Sequence, residues 1–275
     1  MPVDLAAVRT ALFVPGDRPD RFDTALASGA DLVVVDLEDA VDPGRRATAR
    51  EHVAALLGRA PTAPVAVRVN AAGTPDHPLD ADLVRAHRCA VLLAKADDAA
   101  AAEALVPCPV VALVETARGV LAAPAVAASC AVTRLALGHL DLAAELGVDP
   151  DDRTAMTAAR SALVLASAAA GLAPPIDGVT VDVTDDARLT DDVRHARSLG
   201  LGGKLCIHPR QVTLAAAALA PSPDDVAWAR RVVAAADTRG TDAVTVLDGR
   251  MVDRPVVERA RRILDHPHPA PEGLA

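Results

Sequence analysis

Apolar and polar positions along the chain repeat as a unit: a short run of β-branched and aliphatic residues, then a longer segment rich in Ala, Leu and Arg. The short runs are TALFV (10–14), DLVVVD (31–36), PVAVRV (64–69), AVLLA (90–94), PVVALV (109–114), TRLALG (133–138), IDGVTVDV (176–183) and GKLCI (203–207). Runs such as VVVD and VVALV are continuously apolar, as strands covered on both faces are. Helices are predicted near 19–28, 44–57, 79–86, 97–105, 118–128, 151–171, 185–199 and 209–219. Eight strand–helix units predict an α/β fold, a (β/α)8 TIM barrel. A doubly wound open sheet is the alternative, but no G-x-G-x-x-G loop follows the first run. Residues 222–265 add a helix (DDVAWARRVVAAAD), a turn and a last helix from 255, more than a barrel needs. The expected organisation is a barrel domain over 1–221 and a C-terminal helical arm over 222–275 that is not a domain of its own. The closing HPHPAPEGLA is expected to fray.

A barrel of this kind carries its chemistry at the C-terminal ends of its strands, so the residues just after each run are the candidates. They are Pro15-Gly16-Asp17-Arg18, Asp36-Leu37-Glu38-Asp39, Arg68 and Asn70, Lys95, Glu115-Thr116, Gly138-His139-Leu140-Asp141, Asp177 with Asp182, and His208-Pro209. Arg68, Lys95 and Glu115 abut apolar runs, where a charge is costly unless it is paired or bound to a metal. Glu115 and Asp141 follow adjacent strands and are expected to share one hard cation. Mg²⁺ suits them, with Mn²⁺ as its substitute, because Mg²⁺ takes one or two protein carboxylates and fills its octahedron with water and substrate oxygens. The competing reading pairs Glu115 with Arg68 and needs no metal. Arg68 itself either pairs with Asp36, Glu38 and Asp39 or binds a planar substrate oxygen pair. Those three acids exceed what one Mg²⁺ needs beside Glu115 and Asp141, so at least one is expected to orient ligands or bound water. No His/Cys set has zinc spacing. His208 is expected to hydrogen-bond the rim, His52 and His195 fall on helices without assigned chemistry, and Trp228 is expected to anchor packing.

Composition narrows the classes. The chain is 51% hydrophobic, which excludes disorder, and no apolar run is long enough for a membrane span. A net charge of −9 with scattered basic residues argues against a nucleic-acid partner. MPVDLAAVRTALF lacks the basic and long apolar regions of a signal peptide, so a cytoplasmic protein is expected. Cys89, Cys108, Cys130 and Cys206 lie far apart and read as free thiols. The only lysines are Lys95 and Lys204, so a Schiff-base aldolase would have to use Lys95 at its strand end.

The segment LFVPGDRPDRFDTALASGADLVVVDLEDAV (12–41) closely resembles the opening of citrate lyase β-subunit-like proteins of the HpcH/HpaI aldolase superfamily. VRVN (67–70), ALVETARGV (112–120), LGHLDLAAELGV (137–148), PIDGVTVDVTD (175–185), GGKLCIHPRQV (202–212) and LDGRMVDRPVVERA (247–260) continue the likeness in order. The resemblance implies a Mg²⁺-dependent carbon–carbon lyase acting on 3-hydroxyacyl-CoA esters such as malyl-, citramalyl- or methylmalyl-CoA. Carried over by position, Glu115 and Asp141 are the metal ligands and Arg68 steadies the thioester enolate. Asp253 is a catalytic carboxylate that reaches a neighbouring subunit's site, and Arg18 and Leu140 contact substrate or CoA. A homo-oligomer, trimeric or hexameric, is implied. Departures are Thr24 where a lysine is common, Leu93-Ala94-Lys95 in place of L-P-K, and His139 ahead of the metal aspartate. They leave open a lyase subunit acting on citrate carried by acyl-carrier protein. A CoA-independent, metal-dependent 2-oxo acid aldolase also stays open, although the arm argues against it.

Overall fold

The apolar runs become parallel strands in a computed structural model that describes residues 3–237 and 245–265. The terminal HPHPAPEGLA lies outside them. The strands are β1 Thr10–Pro15, β2 Leu32–Asp36, β3 Val65–Val69, β4 Ala90–Leu93, β5 Val110–Val114, β6 Val132–Leu137, β7 Ile176–Asp177 and β8 Gly203–Cys206. Each pairs with the next, and β8 pairs with β1 to close the barrel. Around it run α1 Phe22–Leu26, α2 Arg46–Gly58, α3 His77–His87, α4 Ala99–Glu103, α5 Ala117–Ala127, α6 His139–Leu146, α7 Arg153–Ala169, α8 Asp186–Leu199 and α9 Pro209–Leu219.

Alternation along each strand sorts the side chains. Val33, Val35, Val67, Val91, Val110 and Leu135 face the helices and form the larger core with Val53, Val84, Val126 and Leu163. Leu32, Val34, Ala66, Leu92, Val111, Leu113, Ala136 and Leu205 face inward and fill the barrel. Extending that inward parity past the apolar part of each strand reaches Asp36, Arg68 and Glu115. Polar side chains therefore crown an apolar barrel because they continue the inward-facing series at its C-terminal end. At the opposite end, Arg134 closes the barrel floor by donating to the carbonyls of Leu5, Ala6, Val8 and Pro174. Burial pulls its pKa down to about 10.

Two expectations are corrected. The seventh run was expected as a strand over 176–183, but only Ile176–Asp177 pairs. The chain leaves the sheet after Asp177, and Asp182 stands in an exposed loop, accepting from the Thr184 and Asp185 N–H groups. Residues 139–146, for which no helix was predicted, form α6. Leu142 and Ala143 bury its inner face, and Gly147 ends it in the left-handed conformation, φ 68°.

The chain divides into two compact units, Met1–Leu219 and Ala220–Ala275. Within the second, α10 Pro223–Asp237, the antiparallel pair β9 Thr245–Leu247 and β10 Arg250–Val252, and α11 Arg254–Leu264 enclose a small core of Ala229, Val232, Val252, Val257 and Ala260. Trp228 packs against that core, and the Arg259 guanidinium lies 4.9 Å from its ring centroid. No described helix is long and apolar enough to cross a membrane.

Candidate active site at the barrel mouth

A cavity of about 350 Å³ opens at the C-terminal ends of the strands, lined by residues from nearly every strand of the barrel. Its lining is divided. From β2 to α6 come Asp36, Asp39, Arg68, Glu115 and Asp141; from the β7–β8–β1 side come Val179, Leu205, Ile207 and Phe13.

Asp36 and Arg68 are Cα partners in the β2–β3 register, so their side chains meet by construction. The guanidinium forks onto the carboxylate, Nε to Oδ1 at 2.6 Å and Nη2 to Oδ2 at 2.5 Å. Its remaining nitrogen, Nη1, lies 3.1 Å from Glu38 and 3.6 Å from Asp39. Phe13 backs the group, 4.9 Å from ring centroid to Arg68 Cζ. Burial opposes the charge on Arg68, but the Asp36 hydrogen bonds and surrounding acids outweigh it and raise the pKa. Asp36 also accepts from the Glu38 and Ala40 N–H groups, which fixes the loop after β2. Both sequence readings of Arg68 thus have a basis: it is fully ion-paired and it lines the cavity.

Glu115 is buried beside this pair. Its Oε1 accepts from the Lys95 N–H at 2.9 Å, and its other side rests on Gly138, where any Cβ would collide with the carboxylate. Burial, then the neighbouring Glu38, pushes Glu115 up to about 8, against the pull of Lys95 and Arg68. Burial likewise raises Glu38. Asp141 does not stand at a strand end as expected; it lies in the first turn of α6. Lys95 joins the acids: its Nζ is 2.6 Å from Glu38 Oε1, 3.4 Å from Asp141 Oδ2 and 4.0 Å from Glu115 Oε1. Burial disfavours the ammonium, yet the Glu38 hydrogen bond and nearby carboxylates hold the Lys95 pKa above its ordinary value. A Schiff-base lysine needs the reverse shift, so that alternative loses its support.

The mouth thus sets Asp36, Glu38, Asp39, Glu115 and Asp141 against Arg68 and Lys95. Asp36 is neutralised by Arg68 and Glu38 by Lys95, which leaves Glu115 and Asp141 sharing one ammonium that Glu38 already holds. A buried carboxylate raised to about 8 beside a second acid is the setting a hard divalent cation relieves. Among the described residues no three His, Cys, Asp or Glu side chains are arranged to hold a metal by themselves. The pair therefore fits an octahedral ion that keeps open positions for water and substrate.

His139 is 5% exposed, and its Nδ1 has no hydrogen-bond partner. It lies against Gly178, where a Cβ would overlap the imidazole. Burial and then Lys204 push His139 down to about 4, so it is neutral at pH 7. Leu140 is half-exposed and lines the cavity. Arg18 lies in the loop after β1 with its guanidinium forked onto Asp20, at 2.9 and 2.7 Å. Arg21 and Thr24, from the same loop and α1, line a groove of about 370 Å³ that shares Phe13 and Ile207 with the main cavity. Asp253 belongs to the second unit, where it caps α11 by accepting from the Val256 N–H at 3.2 Å. His208 accepts from the Arg210 N–H, a local rim contact. Sequence reasoning missed the contacts of Lys95 and the seat Gly138 makes for Glu115. Lys95 at a strand end was visible, but nothing in one chain announces a partner 57 positions away.

The family profile described as HpcH/HpaI aldolase/citrate lyase matches residues 9–209. A citrate lyase subunit beta-like protein of Mycobacterium tuberculosis is 38% identical over 262 residues, 92% of this chain and 93% of that protein. A (3S)-malyl-CoA thioesterase of Cereibacter sphaeroides is 35% identical over 266 residues, 93% of each. The crystal structure of CitE from M. tuberculosis in complex with magnesium, acetoacetate and coenzyme A superposes with a TM-score of 0.84 at 36% identity, covering 94% of this chain and 98% of that one. With that coverage and identity, the chain belongs to the HpcH/HpaI aldolase/citrate lyase family.

Proposed function

We propose that this protein is a Mg²⁺-dependent carbon–carbon lyase that cleaves, or in reverse forms, a 3-hydroxyacyl-CoA such as malyl-, citramalyl- or methylmalyl-CoA. The observation that carries the reading is the excess of acid at the barrel mouth, where Glu115 and Asp141 share a single ammonium already engaged by Glu38. A relative that binds magnesium, acetoacetate and coenzyme A supports it. Glu115 and Asp141 would hold the ion. A bound Mg²⁺ at this pair would act as a Lewis acid on the substrate's oxygens as the carbonyl forms.

In the lyase direction the bond between the α and β carbons breaks and the 3-hydroxyl loses its proton. The electron pair passes to the thioester as an enolate, and the α-carbon then takes up a proton. Arg68 is the group for the enolate oxygen: Asp36 fixes the guanidinium plane, so its orientation is set before substrate arrives. The apolar wall of Phe13, Val179, Leu205 and Ile207 keeps water from the enolate and suits the hydrocarbon part of the substrate. Leu140 belongs to the same lining, and Asp36, Glu38 and Asp39 act on Arg68 and Lys95 rather than on the ion. Arg18, with Arg21 beside it, is offered to the CoA phosphates. Asp253 is the proposed acid–base group at the α-carbon, supplied by the arm of a neighbouring copy in a trimeric or hexameric cytoplasmic enzyme. Mixing inactive Asp253→Asn and Glu115→Gln proteins should then restore activity by pairing an intact arm with an intact barrel; mixtures that stay inactive under subunit exchange would remove that role.

A second reading, thioester hydrolysis, has the support of the malyl-CoA thioesterase relative. Incubating the purified chain with Mg²⁺ and a panel of malyl-, citramalyl-, methylmalyl- and citryl-CoA separates them. Cleavage releases a shorter acyl-CoA and an oxo acid, whereas hydrolysis releases free CoA and the intact hydroxy acid. If no CoA ester is turned over and the chain acts only on an acyl-carrier-protein thioester or a free 2-oxo acid, the CoA assignment fails.

A further inference from the structure

Lys95 takes no part in the chemistry proposed above, yet its ammonium reaches Glu38, Asp141 and Glu115. Its backbone lies at φ +46°, a left-handed conformation uncommon outside glycine. That conformation turns the N–H toward Glu115 while the side chain returns toward the cluster. The N–H donates to Glu115 Oε1 at 2.9 Å, and the ammonium reaches Glu38 at 2.6 Å, Asp141 at 3.4 Å and Glu115 at 4.0 Å. The same residue thus orients a proposed metal ligand through its backbone and contacts both proposed ligands through its charge.

We infer that the Lys95 ammonium competes with the divalent cation for the oxygens of Glu115 and Asp141, and so limits how tightly the site holds it. The inference rests on the reading that this pair binds the metal. Two like charges cannot share the same pair of carboxylates at contact distance without strong repulsion, because a unit charge at about 4 Å remains a large effect in a partly buried setting. Glu38 supplies the resting place. It is anchored on its far side by Arg68, 3.1 Å away, and gives the ammonium its shortest contact, so the lysine can lean on Glu38 when the ion engages the other two acids. The Lys95 side chain is one-third exposed, which leaves its flexible stem free to make that movement. The backbone contact to Glu115 does not depend on the side chain, so charge and positioning can be separated by substitution.

The experiment is calorimetric titration of Mg²⁺ into chelator-treated wild-type protein, Lys95→Met and Lys95→Arg, with thermal melts of each in the presence and absence of Mg²⁺. Lys95→Met keeps the backbone contact and loses the charge. It should bind Mg²⁺ roughly tenfold more tightly, melt lower than wild type in chelator, and gain more in Tm on adding Mg²⁺. Lys95→Arg retains a cation and should stay near wild type. Glu38→Gln removes the resting place, so it should weaken Mg²⁺ binding in the wild-type background and have little effect beside Lys95→Met. Unchanged or weaker Mg²⁺ binding by Lys95→Met would overturn the inference. Wild-type protein that takes up no Mg²⁺ and matches Glu115→Gln would instead overturn the metal reading on which the inference rests.

Discussion

Two buried ionic clusters sit in the same barrel, one at the start of the β7–β8 side and one across the mouth from β2 to α6, and their charges are balanced in opposite ways. In the first, Asp177 is held by Arg160 at 2.8 Å and Lys204 at 3.6 Å, and Lys204 also donates to the Gly178 carbonyl. Burial alone would raise Asp177, but Lys204 and Arg160 overcome it and leave its pKa below the ordinary value. In the second, burial and Glu38 drive Glu115 up to about 8 despite two nearby bases. A buried acid with its full complement of partners is a brace for the fold. One left short of positive charge is a candidate binding position.

Substitutions at the mouth should have the largest effect. Glu115→Gln or Asp141→Asn should lower CoA-ester cleavage by about 10³-fold, the scale of several kcal/mol of lost transition-state stabilisation, with the fold intact by circular dichroism. Arg68→Lys keeps a charge but loses the fork onto Asp36; a fall in kcat/KM of roughly 10²-fold is expected, read from initial rates.

On the balanced side the prediction is structural. Asp177→Asn leaves Arg160 and Lys204 buried without their acid and should cost about 3–5 kcal/mol of stability, measured by denaturant unfolding, while the Mg²⁺ stoichiometry of the folded protein stays at the wild-type value. Equal damage to metal binding from both clusters would erase the distinction between them.

A further prediction concerns pH. Glu115 has a folded pKa of about 8 against an ordinary value of 4.5, so the folded chelated protein holds a proton that the unfolded chain releases. Its contribution is fully present below about 4.5 and is lost as pH rises through about 8. Chelated protein should therefore lose stability over that window, Mg²⁺ affinity should rise across it, and Glu115→Gln should flatten both trends.

Much of this was legible in the chain because a barrel enforces a simple rule. Inward parity along DLVVVD, VAVRV and VVALV delivers Asp36, Arg68 and Glu115 to one rim, and the parity is visible in the letters. The misses came at the ends of β7 and β6. IDGVTVDV alternates like a strand, but pairing stops at Asp177 and the next residue, Gly178, packs against His139. HLDLAAELG carries its own helical signal, apolar Leu142 and Ala143 followed by a terminating Gly147, yet its closeness to β6 hid it. The grouping of Lys95 with Glu38 and Asp141 could not be read at all, since it arises only when distant strands close on one another.

The most direct test is a Mg²⁺ titration of malyl-CoA cleavage, starting from chelator-treated wild-type protein beside Glu115→Gln and Asp141→Asn. Cleavage should be negligible in chelator, wild type should recover fully and saturably as Mg²⁺ or Mn²⁺ is added, and neither variant should recover at the same concentrations. Cleavage that proceeds undiminished in chelator, or that both variants regain at wild-type Mg²⁺ concentrations, would contradict the Mg²⁺ assignment.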